Sequence, residues 1–148
     1  MDPFGDLLPR TTASVDETLD LGEALAAHLQ PGDVVALSGD LGSGKTHLAK
    51  GLVRGLGGDA EAVTSPTFVL VQEHAEANPP VRHLDLYRLD TDHDFDGIGL
   101  NEMLDDPDHI TLVEWPERAA RRFPAHTLRL RLSHEGGDRR TVAVLHDG

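Results

Sequence analysis

Hydrophobic positions recur at helical spacing early in the chain and at strand-like spacing soon after. Residues 15–28 carry leucines along one side of a predicted helix, and Ser14 and Glu17 have capping-box spacing at its start. Residues 34–38 form a short apolar run with β-branched side chains, which predicts a buried strand. A second helix is predicted over residues 45–56, where a pair of glycines ends it.

The rest of the chain adds mostly strands. Apolar or alternating runs predict strands at 68–73, 81–86 and 110–113, helical segments at 100–104 and 116–122, and a hairpin formed by 126–133 and 140–146. Strands interleaved with helices predict one α/β domain over residues 1–148, with parallel central strands and antiparallel additions that include the C-terminal hairpin. Residues 1–10 are expected to be frayed and flexible.

Composition narrows the classes of protein that fit. The absence of cysteine excludes disulfides, thiolate catalysis and cysteine-based zinc sites. No apolar run has the length of a membrane helix, and the first ten residues do not resemble a signal peptide, so we expect a cytoplasmic protein with no membrane partner. The formal charge of −13 disfavours direct binding to DNA or RNA.

One glycine-rich segment matches the G-x-x-x-x-G-K-[ST] pattern of a phosphate-binding loop. It lies between a predicted strand and a predicted helix, as the P-loop NTPase three-layer α/β fold requires. Glycines allow backbone N–H groups to surround phosphates, and the following helix presents its positive end to them. The lysine is expected to reach the β- and γ-phosphates and the threonine to bind Mg²⁺. The eight residues are Gly39, Asp40, Leu41, Gly42, Ser43, Gly44, Lys45 and Thr46.

Two carboxylates follow predicted strands and are candidates for the metal side of the site. Glu114 comes directly after the 110–113 strand, in the place of a Walker-B acid, or else it is a solvent-facing carboxylate. Asp85 lies near the end of another strand, where it could assist the metal or act as a general base. A cap or a partner of Arg88 explains Asp85 equally well.

Two further residues have both a functional and a plain interpretation. Thr67 lies in Thr-Ser-Pro-Thr after the loop helix, where P-loop proteins place a segment that senses the γ-phosphate. A turn set by Pro66 is the alternative. Trp115, the only tryptophan, follows Glu114 and lies either near the nucleotide or in ordinary packing.

Two other motif matches fail on inspection. Residues 92–97 begin like an EF-hand calcium loop, but position 12 is Met103 and Glu102 is one residue out of register. The Asp-Phe-Asp-Gly within them also resembles a GTPase motif. Guanine recognition in those proteins needs a further lysine, and this chain has only Lys45 and Lys50.

Four motifs in order resemble the TsaE (YjeE) family: G-D-L-G-S-G-K-T, S-P-T-F, H-L-D-L-Y-R-L and V-E-W-P-E-R, within about residues 16–118. The resemblance implies a small ATPase that hydrolyses ATP slowly to ADP with Mg²⁺. Such proteins act with TsaD and TsaB in threonylcarbamoylation of tRNA adenosine next to the anticodon, and contact tRNA only through that complex.

The resemblance also implies roles for individual residues. Glu114 would be a metal ligand, Asp85 a metal-linked or catalytic acid, and Thr67 a switch residue. Trp115 and, from the N-terminal segment, Thr18 would lie near the nucleotide.

Two other functions use the same loop. A small-molecule kinase would clamp phosphates with Arg118, Arg121 and Arg122, although the chain has no obvious insertion for a lid. A nucleotide-binding regulatory module would bind without useful hydrolysis.

Overall fold

The computed structural model describes residues 4–40, 43–63 and 71–145. Its strands are β1 (Arg10–Thr12), β2 (Val34–Ser38), β3 (Val71–His74), β4 (Val81–Asp85), β5 (Ile110–Glu114), β6 (Leu128–His134) and β7 (Arg140–Val144). Its α-helices are α1 (Val15–Ala26), α2 (Lys45–Gly55), α3 (Asp92–Gly97) and α4 (Leu100–Leu104), and 3-10 helices span Ala60–Ala62 and Pro116–Arg122. Within these described ranges, no helix combines the length and apolarity needed to cross a membrane.

The strands form one mixed sheet in the order β1-β7-β6-β2-β5-β4-β3. The four central strands β6, β2, β5 and β4 pair in parallel. The outer pairs β1–β7, β6–β7 and β3–β4 are antiparallel. The predicted parallel centre and C-terminal hairpin are therefore confirmed.

Alternation along the central strands divides the core into two layers around the sheet. Val35 and Leu37 belong to the hydrophobic cluster that includes the buried leucines of α1 and α2. Val34 and Ala36 belong to the opposite cluster, which includes residues of α3 and α4. Because successive side chains of a strand point to opposite faces, β2 contributes to both layers. The result is the predicted three-layer α/β arrangement.

The N-terminal segment differs from expectation over its described part. Leu8 is buried, and Phe4 and Leu7 pack against the same cluster as α1 and α2. Arg10–Thr12 forms β1 and pairs with β7, so residues 4–10 are held to the domain. The expectation of fraying is wrong here because the anchoring partner, β7, lies more than a hundred residues away in sequence and leaves no local signal.

The helix α3 was not predicted, because its six residues include three aspartates and one large apolar side chain and show no hydrophobic period. Thr91 caps it by accepting a hydrogen bond from the Asp94 N–H, and Phe95 is its buried anchor. Helix α1 ends at Ala26, two residues before the predicted end. The start of the predicted 68–73 strand lies outside the described residues, and β3 is described from Val71.

Helices α1 and α2 meet at glycines that bring their backbones into contact. A Cβ on Gly22 would lie 2.7 Å from the Leu48 carbonyl oxygen, and a Cβ on Gly51 would overlap the Leu19 carbonyl oxygen. Both clashes are with helix backbone, which cannot rotate away as a side chain can. This close packing sets the position of α2, and with it the loop from which α2 begins.

We predict that Gly51→Ala lowers the free energy of unfolding by about 1–3 kcal/mol, because the added methyl forces α1 and α2 apart. Urea denaturation measures this change. Gly97→Ala is the matched control, since a Cβ at Gly97 meets nothing within 4 Å. The control is expected to be neutral or slightly stabilising. Equal effects of the two substitutions would contradict the packing argument.

Candidate active site

The predicted phosphate-binding loop lies between β2 and α2, in the strand–loop–helix order that the motif requires. Gly39 has φ 151°, and a Cβ there would lie 2.5 Å from the Leu132 carbonyl oxygen and 2.6 Å from Ser43 Oγ, so only glycine fits. Gly44 precedes α2 in a left-handed conformation and offers no side-chain cap. Because glycine has no side chain, Gly44 cannot cap the first N–H groups of α2. Leu41 and Gly42 lie outside the described residues.

Lys45 is held inside the loop in this structure. Its Nζ donates a hydrogen bond to the Gly39 carbonyl at 2.6 Å and lies 3.9 Å from the centroid of the Trp115 ring. Burial lowers the pKa of the Lys45 ammonium, and the nearby Glu114 and Glu117 carboxylates oppose that effect. The ammonium is thus partly desolvated and surrounded by groups that favour its charge.

Asp85 and Glu114 lie side by side at the carboxyl edge of the parallel strands. Glu114 is opposite Leu37 of β2 on one side and Asp85 of β4 on the other. The Asp85 and Glu114 side chains are both buried, with 4% and 3% exposure, which excludes the solvent-facing alternative for Glu114. Asp85 Oδ1 also accepts a hydrogen bond from the Tyr87 N–H at 2.8 Å. Asp85 therefore fixes a local turn as well as facing the site.

The environment of Asp85 shifts its pKa. Burial raises the pKa of the Asp85 carboxyl, and the Glu114 carboxylate adds to that rise. The Tyr87 hydrogen bond and the Lys45 ammonium act in the opposite direction. A shifted acid beside a glycine loop is characteristic of functional sites.

Trp115 follows β5 in a strained backbone conformation. Its φ of 58° is the only positive φ of a non-glycine residue in the described part of the chain. A left-handed conformation costs an L-residue about 1–2 kcal/mol. The Trp115 ring lies 4.9 Å from the Tyr87 ring, and the Arg118 guanidinium lies 5.5 Å from Tyr87. This turn places Trp115 against Lys45, and its position near the nucleotide stays a prediction.

The surroundings of three predicted site threonines do not test their expected roles. Thr46 lies half-buried in the first turn of α2. Thr18 is buried, and its hydroxyl lies 2.6 Å from the Thr12 hydroxyl, so its nucleotide role stays a prediction. Thr67 lies outside the described residues, and its switch role likewise stays a prediction.

Two of the three arginines considered for a kinase, Arg118 and Arg122, have other partners. Arg122 donates to Asp92 at 2.9 Å and to Asp96 at 2.8 Å, which ties the 3-10 helix Pro116–Arg122 to α3. Arg118 stacks on Tyr87. Arg122 in particular is already neutralised by carboxylates, which disfavours its use as a phosphate clamp.

His83 is a site residue that sequence reasoning missed. Its Nε2 lies 2.6 Å from Glu114 Oε2, and both side chains are buried. The available signal was its position two residues before Asp85, because residues i and i+2 of a strand share one face.

Comparison with known protein families shows which family this chain belongs to. A sequence model described as "Threonylcarbamoyl adenosine biosynthesis protein TsaE" matches residues 12–142. The chain belongs to the TsaE family. The four ordered motifs had indicated this family, and the match extends from β1 into β7.

Individual TsaE relatives cover most of the chain. A Bacillus subtilis protein is 34% identical over 131 residues, covering 88% of this chain and 80% of the relative. A Streptomyces coelicolor protein is 43% identical over 127 residues, covering 80% of each. Both are named tRNA threonylcarbamoyladenosine biosynthesis protein TsaE. The crystal structure of Bacillus subtilis YdiB matches with a TM-score of 0.76 and 31% identity, over 95% of this chain and 86% of that one.

We predict that ADP or ATP produces a saturable change in Trp115 fluorescence. Phosphates would draw the Lys45 ammonium off the ring that it now contacts at 3.9 Å. The change is measured by titration with each nucleotide. Lys45→Met should lose it over the same concentration range, and no change in the wild type would contradict the placement of Trp115.

Proposed function

We propose that this TsaE-family chain binds ATP with Mg²⁺ and hydrolyses it slowly to ADP. We further propose that this cycle supports threonylcarbamoylation of tRNA adenosine next to the anticodon, in a complex with TsaD and TsaB. The names of the relatives support the pathway. The glycine loop and its neighbouring carboxylates support the nucleotide chemistry.

The observation that carries the proposal is the meeting of three charged groups at one edge of the sheet. Lys45 begins the helix after the glycine loop, and it is close enough to Asp85 and Glu114 for both to affect its pKa. A cation for phosphates and two acids for a metal or water are what phosphoryl transfer requires. Ser43 adds a buried hydroxyl with no hydrogen-bond partner among the described residues, consistent with a place for a ligand oxygen.

The donor set fits Mg²⁺. Thr46, Asp85 and Glu114 supply only oxygen atoms, which this hard cation prefers. Among the described residues no three acidic or histidine side chains form a metal cage. Mg²⁺ is commonly held by one or two carboxylates together with the phosphates of its nucleotide. When bound, it would neutralise charge on the β- and γ-phosphates.

The residues of the chain then have separate tasks. Lys45 would exchange its bonds to Gly39 and Trp115 for the phosphates. Asp85, whose pKa is raised by burial, is suited to accept a proton from or to position the attacking water. Glu114 would hold the metal. These residues are assigned to ATP hydrolysis only. The threonylcarbamoyl group would be transferred by the partners.

The acidic surface agrees with an indirect role toward tRNA. With a formal charge of −13, the chain as a whole repels a phosphate backbone. TsaD and TsaB would hold the tRNA, and this chain would act on them through its nucleotide state.

We predict that Lys45→Ala abolishes multiple-turnover product formation in a reconstituted reaction with TsaD, TsaB, tRNA and ATP. Loss of a preorganised contact to transferring phosphate lowers turnover by about 10²–10³-fold. The assay counts modified tRNA per TsaD. Lys50→Ala is the matched control, since Lys50 Nζ bonds to the Ala60 carbonyl at 3.3 Å, on the same helix but outside the loop. Full turnover with Lys45→Ala would refute the proposal.

We predict that Glu114→Gln raises the Mg²⁺ concentration for half-maximal ATP hydrolysis by more than about tenfold. Loss of a residue that only hydrogen-bonds to a metal ligand already lowers metal affinity by about tenfold or more, and loss of the ligand itself should lower it further. The measurement is the initial rate against Mg²⁺ at fixed ATP. Glu102→Gln, an exposed change on α4, should match the wild type. An unchanged Mg²⁺ requirement in Glu114→Gln would remove Glu114 from the metal site.

A further inference from the structure

A buried histidine contacts the proposed metal-binding glutamate. His83 Nε2 lies 2.6 Å from Glu114 Oε2, and the exposed fractions of the two side chains are 0% and 4%. The hydrogen bond is short, and both groups that form it are shielded from water. Glu114 therefore has a hydrogen-bond partner inside the protein.

The strand register explains the contact. Asp85 lies directly opposite Glu114, and His83 lies two residues earlier on β4. His83, Asp85 and Glu114 consequently share one face of the sheet, the face that also carries Val81 and Leu112 toward α1 and α2. A diagonal neighbour on adjacent strands is within reach of a long side chain. The imidazole spans this diagonal and reaches the Glu114 carboxylate.

The contact with His83 leaves the second carboxylate oxygen of Glu114 available. His83 occupies Oε2, and no described residue donates a hydrogen bond to Oε1. A glutamate side chain has three rotatable bonds, so a fixed Oε2 restricts where Oε1 can be. On its other side, His83 Nδ1 is buried without a partner among the described residues. Glu114 is thus the one described hydrogen-bond partner of this ring.

We infer that His83 is a positioning residue for metal-dependent hydrolysis, which orients the Glu114 carboxylate so that one oxygen is kept for Mg²⁺ or its bound water. This inference rests on the proposed function. Ligating side chains are commonly oriented by a hydrogen-bonded partner, and loss of such a partner lowers metal affinity by about 10–100-fold. His83 touches neither nucleotide nor metal in this scheme and acts through Glu114.

The chain offers a matched comparison in His74. His74 is also a buried histidine, with 2% exposure, and it lies on β3 opposite Val81, on the same face of the sheet. Its Nε2 has no hydrogen-bond partner among the described residues. His74 also lies near His83, which contributes to lowering the pKa of the His74 imidazole. Replacing His74 therefore tests the effect of losing a buried imidazole close to His83 that does not itself hold Glu114.

The experiment uses the full chain and three variants, His83→Leu, His83→Gln and His74→Leu. Glutamine can place its Nε2–H near the position of the imidazole Nε2, whereas leucine has no donor. Mn²⁺ binding to the ADP complex is followed by electron paramagnetic resonance, and ATP hydrolysis is titrated with Mg²⁺. His83→Leu should weaken Mn²⁺ binding and raise the Mg²⁺ requirement about 10–100-fold, without changing the Kd for metal-free ADP. His83→Gln should recover most of this loss, and His74→Leu should keep wild-type metal affinity whatever its melting temperature.

The outcomes distinguish the role of His83 from the proposed ATPase function. Wild-type metal affinity in His83→Leu, or an equal loss in His74→Leu, would overturn the role of His83 and leave the ATPase proposal intact. If His83→Leu does not fold, His83→Asn replaces it, because its shorter amide falls short of Glu114. Equal metal affinity in the Asn and Gln variants would then overturn the inference. A wild-type chain that takes up no Mn²⁺ with ADP would overturn the proposed function, and the inference with it.

Discussion

The hydrogen-bonded register of β5 with its two parallel neighbours determines where the charged groups of the site lie. Glu114 stands between Leu37 and Asp85 because the three strands end together at one edge of the sheet. The chain leaves β2 at that edge to form the glycine loop, so Lys45 returns to the same place at the start of α2. In open α/β sheets, ligands bind beyond the carboxyl ends of the parallel strands for this reason. A shift of β5 by one residue would turn Glu114 to the opposite face.

Burying several charged groups together costs free energy, because the groups lose their contacts with water. Burial lowers the pKa of Lys45 and raises that of Asp85, so both ionised forms are disfavoured by the loss of water. Mutual attraction between the ammonium and the carboxylates offsets part of this. A nucleotide phosphate and a divalent cation would each supply the missing opposite charge. Lys45 Nζ contacts the Gly39 carbonyl and the Trp115 ring, which partly replace the water that it has lost.

Both faces of the sheet hold this edge in place. On one face, glycine contacts between α1 and α2 press the loop helix close to the core. On the other, Arg122 joins the 3-10 helix after Trp115 to α3 through Asp92 and Asp96. The left-handed backbone at Trp115 is tolerated because the segments on either side, β5 and the 3-10 helix, are both anchored. The fold therefore supports a strained turn at the place where Trp115 contacts Lys45.

Local patterns were sufficient for strands β2 to β7, for helices α1, α2 and α4, for the glycine loop and for the acids at the ends of β4 and β5, but not for β1 or α3. Each of these depends on residues close together in sequence, such as alternation, caps and turn glycines. The described structure was needed for contacts between distant segments: β1 beside β7, Lys45 against Trp115, and His83 bound to Glu114. These follow from which face a strand presents and which residue lies opposite, and a difference of one residue in register changes both. A histidine in a strand is ambiguous by itself, and only the pairing of β4 with β5 shows that His83 contacts Glu114.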